Sequence, residues 1–246
     1  MNIIFALLIS LFAGLSTLFG AIFVFLPIKR ENINKFITFS LSFSIAIMIG
    51  ISITDLLPES IVKITNTYNK MALILIIILF LISYLLIKFI NRLLTKYENN
   101  LYKLGILSMI TLIMHNLPEG ILTFLSSYSD ISLGIRLSLA IAMHNIPEGI
   151  AIAIPIYYAT GSKLKAITKT VLSGLSEPFG AILAYLFLSK YINHNLIAII
   201  LVVVSGLMIT LAIEQMLPEA LKYHENKSMY FGILLGISVI ILNTLL

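Results

Sequence analysis

The chain has 246 residues, of which 59% are hydrophobic and 11% are charged, and its mean hydropathy is +1.06. Because about a quarter of the residues in a soluble domain are charged, this composition excludes an ordinary water-soluble protein and predicts lipid as the main solvent. The net charge of +5 comes from basic residues scattered singly between apolar runs, which is typical of membrane topology signals and not of nucleic-acid binding.

Apolar windows of roughly 20 residues predict an all-α membrane protein with eight transmembrane helices, which we call segments 1 to 8. They cover residues 2–27, 34–58, 71–91, 101–126, 131–157, 165–189, 195–217 and 229–246. Segment 1 has no charged residue and no small-residue cleavage site, so we interpret it as a retained span and not a signal peptide. The connections are short, which favours one membrane domain over residues 1–246.

Positive charges predict the orientation of these segments. Connections one, three, five and seven carry twelve Lys and Arg residues, whereas connections two, four and six carry four. We therefore expect the odd-numbered connections in the cytoplasm and both termini outside.

Segments 1 and 6 contain related sequences. Residues 13–22 match residues 173–182 at seven of ten positions, with an offset of 160. The same offset aligns Leu-Pro-Glu at 57–59 in segment 2 with Leu-Pro-Glu at 217–219 in segment 7. Segments 1–3 are therefore predicted to repeat as segments 6–8 in inverted topology, with segments 4 and 5 as a central antiparallel pair, an arrangement of 3+2+3 helices.

Segments 4 and 5 each contain the motif His-Asn-x-Pro-Glu-Gly, at residues 115–120 and 144–149. The His and Glu are four residues apart, so they project from one helix face about one turn apart. The proline is expected to kink each helix, and the glycine lets another helix approach closely. An unpaired carboxylate at mid-membrane depth is costly, so the motif requires a compensating charge.

A divalent cation between the two motifs would satisfy both carboxylates and both imidazoles. The chain has no cysteine, so thiolate ligands are excluded and the ligand set would be nitrogen and oxygen, suited to Zn(II) or Fe(II). Glu177 in segment 6 adds a third carboxylate where its repeat partner is Thr17, which favours a second cation beside the first. The candidate metal ligands are His115, Asn116, Glu119, His144, Asn145, Glu148 and Glu177. The alternative is a buried polar cluster that only joins helices.

Acidic residues also occur near the ends of segments 2 and 7. Asp55 and Glu59 are expected near the outer surface, and Glu214 and Glu219 near the inner surface. They could attract cations to each side of a pathway or could simply be solvated helix ends, and the sequence leaves both open.

Three other functional classes would place polar residues inside the membrane. An intramembrane metal-dependent hydrolase of the zincin type needs a glutamate directly after the first histidine, but Asn116 and Asn145 occupy those positions. A di-iron enzyme would require Glu-x-x-His, which segments 4 and 5 lack. A proton-coupled organic-solute transporter shares the inverted repeat but would more typically have a larger polar cavity than this compact cluster.

With these motifs the chain resembles the ZIP family of divalent metal transporters, and most of all its bacterial ZupT-like branch. The resemblance rests on the paired motif, on Ser-Gly-Leu-Ser-Glu-Pro-Phe-Gly in segment 6 and on Ala-Thr-Gly-Ser-Lys at 159–163. It implies a multi-pass protein of the bacterial cytoplasmic membrane that imports Zn²⁺, and also Fe²⁺, Mn²⁺ or Co²⁺, by alternating access.

The resemblance also implies which residues bind the metal, as transported substrate and not as cofactor. One ion would take His115, Glu119, His144 and Glu148. A second would take Asn116, Glu119, Asn145, Glu148 and Glu177. The expected partners are divalent metal ions and membrane lipid, with no nucleic acid, and the sequence leaves a homodimer open.

Overall fold

A computed structural model describes residues 3–94, 99–129, 131–188 and 194–245. Every regular element within these ranges is helical, which confirms the all-α class predicted from the sequence. Among the predicted site residues, the side chains of His144 and Glu59 lie outside the described part of the protein.

Several of the predicted segments are built from more than one kind of helix. The α-helices are Ile3–Leu15, Thr17–Ala21, Ile33–Ile51, Leu57–Tyr68, Ala72–Leu93, Asn100–Ser129, Ile131–Thr160, Lys163–Gly174, Ser176–Leu183, His194–Leu211, Leu217–Leu221 and Asn226–Leu245. The 3₁₀ turns are Ile22–Phe25, Arg30–Asn32 and Asn69–Met71. The π-helical turns are Ser52–Leu56, Ala184–Leu188 and Ala212–Met216.

Six helical stretches of the described residues are long and apolar enough to cross a bilayer. They are Ile3–Phe25, Arg30–Leu56, Ser60–Leu93, Asn100–Tyr128, Leu137–Thr160 and Ala198–Leu221. The helix of segment 8, Asn226–Leu245, has an apolar stretch over Asn226–Leu242 that is shorter than these six. Segment 6 begins with Lys163–Gly174, whose lysines make its first half more polar. A multi-pass membrane protein is confirmed, while the full count of eight spans stays a prediction.

The backbone follows the repeat that the sequence predicts. The α-helix of segment 1 is interrupted at Ser16 and that of segment 6 at Leu175. Residues 11–26 and 171–186 alternate between buried and exposed in the same order, position by position. The two copies therefore share their irregularities and their packing as well as their sequence.

The π-helical turns of segments 2 and 7 have a common cause. Ser52–Leu56 and Ala212–Met216 are related by the offset of 160, and each is followed by Leu-Pro-Glu. Pro58 and Pro218 have no N–H to donate to the carbonyl four residues earlier, so the helix opens into a wider turn just before the proline ring.

Segments 3 and 8 pack against segments 7 and 2 in equivalent ways. Ser83 donates to the carbonyl of Val203 (2.8 Å) and faces Gly206. Gly236 faces the backbone of Phe43 in segment 2, and Phe43 is the repeat partner of Val203. Ser83 and Gly236 are therefore equivalent positions, so the offset between segments 3 and 8 is 153 and not 160. The offset is smaller because the connection between segments 2 and 3 is longer than that between segments 7 and 8.

Segments 1 and 6 cross at Gly14 and Gly174. A methyl group on either glycine would collide with the carbonyl oxygen of the other. These glycines are repeat partners, and such a reciprocal contact is what a two-fold axis between two copies produces. The pseudo-two-fold axis of the repeat therefore passes through this crossing.

We expect Gly14→Val to destabilise the protein, because the added carbons would meet the Gly174 carbonyl and, at 2.9 Å, the ring of Pro178. Overpacking of this kind costs about 1–3 kcal/mol, or a fall in Tm of roughly 2–10 °C. Thermal unfolding in detergent measures the effect. The control is Leu8→Ala, which changes a half-exposed residue of the same segment. An equal loss of stability in both variants would contradict close packing at the crossing.

Candidate metal centre

Three helices bring the predicted ligands together in the interior. His115, Asn116 and Glu119 lie in the middle of Asn100–Ser129, and Asn145 and Glu148 lie in the middle of Ile131–Thr160. Glu177 is in the first turn of Ser176–Leu183. All six side chains are buried, with Glu119 the most exposed at 4%. Burial of this many polar groups requires partners within the protein.

His115 connects the two motifs. Its Nε2 atom lies 3.1 Å from Oε1 of Glu119 on its own helix and 3.4 Å from Oε1 of Glu148 on the neighbouring helix. The first distance follows from the i, i+4 spacing, whereas the second exists only because the two helices pack together at this depth. One imidazole nitrogen therefore contacts a carboxylate from each motif.

The two asparagines are held by backbone carbonyls. Asn145 Nδ2 donates to the carbonyl of Ala13 (2.9 Å), and Asn116 Nδ2 donates to the carbonyl of Ser173 (3.4 Å). Ala13 and Ser173 are repeat partners, so the two bonds are equivalent. The Oδ1 atoms of both asparagines are buried and accept no hydrogen bond from the described residues. Each amide is therefore oriented by its nitrogen and leaves its oxygen for another partner.

The interruptions of segments 1 and 6 present these carbonyls. Ser16 Oγ donates to Ala13 O (2.6 Å), and Ser176 Oγ donates to Ser173 O (2.5 Å). In each case a hydroxyl reaches a carbonyl three residues earlier, next to the interrupted turn. The sequence prediction missed these backbone acceptors, although the repeated Gly-Leu-Ser at the same offset was their signal.

The motif glycines let segments 1 and 6 approach at the site. A Cβ on Gly120 would collide with the carbonyl of Glu177, and a Cβ on Gly149 would collide with the carbonyl of Thr17. Thr17 and Glu177 are repeat partners, so each motif helix packs on the same point of its repeat unit. The close approach predicted from the glycines is what places Glu177 beside the motifs.

The symmetry is broken at this pair of residues. Glu177 Oε2 accepts from Asn145 Nδ2 (3.0 Å), and its Oε1 atom is buried with no hydrogen bond. Thr17 instead donates to the carbonyl of Gly14 within its own segment (2.7 Å). The extra carboxylate therefore makes one half of the site more acidic than the other.

Among the described side chains, no group of three or more His, Asp or Glu is arranged to hold a metal ion as it stands. The side chain of His144, which the sequence places in the candidate set, is not among those described.

Three of the four candidate residues at the helix ends have described side chains, and each of the three contacts a neighbouring side chain. Glu214 pairs with Lys88 (2.5 Å), and Glu219 pairs with Lys222 (2.5 Å). Burial and the nearby Glu219 raise the pKa of Tyr223 to about 12. Asp55 accepts from Thr54 (2.6 Å). The lysine partners favour an ordinary interfacial role for Glu214 and Glu219 over attraction of cations.

We expect Asn145→Leu to cost more stability than Asn116→Leu, although both keep the side-chain volume. The first variant removes a bond to a carboxylate as well as one to a carbonyl, which is worth about 1.5–3 kcal/mol, whereas the second removes one longer bond worth about 1 kcal/mol or less. Thermal unfolding with a metal chelator present measures both. An equal or reversed order would contradict the bonds described for Asn145.

Comparison with known proteins gives one consistent result. The sequence model of the ZIP Zinc transporter family matches residues 98–244. The chain is 39% identical to a "Zinc transporter ZupT" of Oceanobacillus iheyensis over 100% of this chain and 98% of that protein. It is 35% identical to proteins of the same name from Chlorobium chlorochromatii (100% and 98%) and Streptococcus mutans (98% and 97%).

Proposed function

Since the chain belongs to the ZIP zinc transporter family, we propose that it imports zinc through the buried site between segments 4, 5 and 6. Membership makes it a transporter of divalent metal cations and not an enzyme, so the hydrolase and the organic-solute transporter are set aside. The proposal concerns the residues that bind the ion, the ions carried and the route through the protein.

The observation that carries the proposal is the position of His115 Nε2 between two carboxylates. Two ligands of a tetrahedral zinc ion at 2.0–2.1 Å are about 3.3 to 3.4 Å apart. The distances from His115 Nε2 to Oε1 of Glu119 and of Glu148 are 3.1 and 3.4 Å, so each of the two carboxylates lies from the imidazole at nearly the distance that separates two zinc ligands. With His144 as the fourth ligand, the set would be two imidazoles and two carboxylates.

Charge supports the same assignment. Glu119 and Glu148 would neutralise one dication in an interior where an uncompensated charge is costly. Glu177 Oε1 and the Oδ1 atoms of both asparagines are buried acceptors without hydrogen bonds, and oxygen ligands suit a second cation beside the first. Glu119 and Glu148 would then bridge the two ions. Fe²⁺, Mn²⁺ and Co²⁺ fit the same ligand types, so we propose them as further substrates.

A polar stripe along segment 4 supports a route to and from the site. Its members follow one another every four residues and are all buried: Thr111, His115, Glu119, Thr123 and Ser127. Within the described part of the chain, the hydroxyls of the stripe form no hydrogen bond, a property that they share with Ser10, Thr38 and Ser42 elsewhere in the interior. We propose that they replace water molecules around a passing ion.

The orientation of the import rests on the distribution of charge. The excess of basic residues in the odd-numbered connections favours a cytoplasmic location for them in a bacterial membrane, with both termini outside. Alternating access would move segments 1, 4, 5 and 6, which are joined by the contacts of the site, against the paired segments 2 with 8 and 3 with 7.

We expect Glu119→Gln and Glu148→Gln each to reduce zinc uptake about 100-fold or more, because removing one charge from a buried ion site costs about 3–5 kcal/mol. Glu177→Gln should reduce uptake less and should lower the number of zinc ions bound per protein. Initial uptake into proteoliposomes and equilibrium zinc binding measure the two effects. Glu31→Gln, at an exposed position, is the control. Full zinc uptake in Glu119→Gln would refute the site.

We expect a single cysteine at Asn66 to react with an impermeant thiol reagent in whole cells, and one at Lys96 to react only after the cells are opened. The chain has no native cysteine, so any labelling reports the introduced residue. Labelling of the Lys96→Cys variant alone in intact cells would reverse the proposed orientation.

A further inference from the structure

A cavity of about 460 Å³ lies between the beginnings of segments 2 and 8, away from the metal centre. Its main lining residues are Asn32, Lys35, Phe36, Phe39, Lys227 and Phe231. Under the proposed orientation, it opens at the cytoplasmic surface of the membrane. None of its residues belongs to the ion site or to the polar stripe.

The cavity has a basic rim and an aromatic floor. Lys35 and Lys227 are both exposed, and Lys35 contacts Asn32 Oδ1 at 3.4 Å. The rings of Phe39 and Phe231 stack with their centroids 5.8 Å apart, and Phe231 is 63% exposed. The lysine ammonium groups therefore lie beside an exposed aromatic surface, and a ligand with a charged head and an apolar chain matches both.

The repeat shows that the fold itself does not require these cations. The position equivalent to Lys35 is Asn195, whose Oδ1 accepts from Thr67 (2.9 Å). The position equivalent to Lys227, with the offset of 153, is Ile74. The equivalent helix pair therefore has no lysine at these two positions, so packing of the pair does not require them.

We propose that this cavity binds an anionic phospholipid of the cytoplasmic leaflet. Its phosphate would lie between Lys35 and Lys227, and the beginning of an acyl chain would lie on the three phenylalanine rings. Basic pockets between transmembrane helices on the cytoplasmic side bind anionic headgroups in this way. Lys29 and Arg30 precede segment 2 and add positive charge nearby, whereas Glu31 and Glu225 flank the cavity without lining it.

The test is lipid binding to the full-length protein in neutral detergent, with phosphatidylglycerol and phosphatidylcholine titrated separately and the bound fraction read by native mass spectrometry. Each lysine near an anionic headgroup contributes about fivefold to binding. The double variant Lys35→Asn and Lys227→Ile, which installs the residues of the equivalent positions, should bind phosphatidylglycerol about 30-fold more weakly and phosphatidylcholine unchanged.

The matched control is Lys165→Asn with Lys169→Asn, which removes two lysines from the same side of the membrane outside the cavity. It should bind phosphatidylglycerol as the unmodified protein does, and so should Lys35→Arg with Lys227→Arg. Retention of phosphatidylglycerol by the double variant, or an equal loss in the control, would overturn the site. Equally tight binding of glycerol phosphate would exclude a lipid as the ligand.

A zinc uptake assay in pure phosphatidylcholine vesicles separates this inference from the transport proposal. The double variant should transport normally there, because neither lysine contacts the ion site. A loss of uptake under these conditions would show damage to the fold and would overturn the assignment of both lysines to lipid alone.

Discussion

The backbone contact between Gly14 and Gly174 is the constraint on which the rest of the structure depends. Segments 1 and 6 can cross this closely only because neither residue has a side chain at the point of contact. The crossing brings the two interrupted turns next to the central helices, where their carbonyls meet Asn145 and Asn116. In lipid, such carbonyls have no water to bind, so the asparagines and the interruptions stabilise each other.

A symmetric scaffold thus produces an asymmetric site. Both halves supply a carbonyl, a serine hydroxyl and a close helix contact at a motif glycine. Only segment 6 supplies a carboxylate, because Glu177 stands where segment 1 has Thr17. In the proposed site, Glu119 and Glu148 offset the two charges of one cation, so the carboxylate of Glu177 adds negative charge for a second cation through a single difference between the copies.

The two membrane surfaces are asymmetric for a different reason. The helix pairs formed by segments 2 with 8 and 3 with 7 are packed alike, yet Lys35 and Lys227 in the first pair correspond to Asn195 and Ile74 in the second. Topology requires positive charge on the cytoplasmic side, and once present there it faces anionic lipid. An orientation signal and a lipid site can therefore use the same residues, while the proposed zinc site shares no residue with either.

The sequence by itself determined the all-α membrane class, the repeat and the family, because each depends on local pattern. The lengths of the apolar segments, the i, i+4 spacing of His115 and Glu119, and the offset of 160 can all be read directly from the sequence. The tertiary structure decided the contact of His115 with Glu148, the carbonyl partners of the asparagines and the shift to 153 for segment 8. These contacts depend on how helices that are distant in sequence approach each other. Every residue has a backbone carbonyl, so the sequence indicates an accessible carbonyl only through the glycines and prolines that expose it.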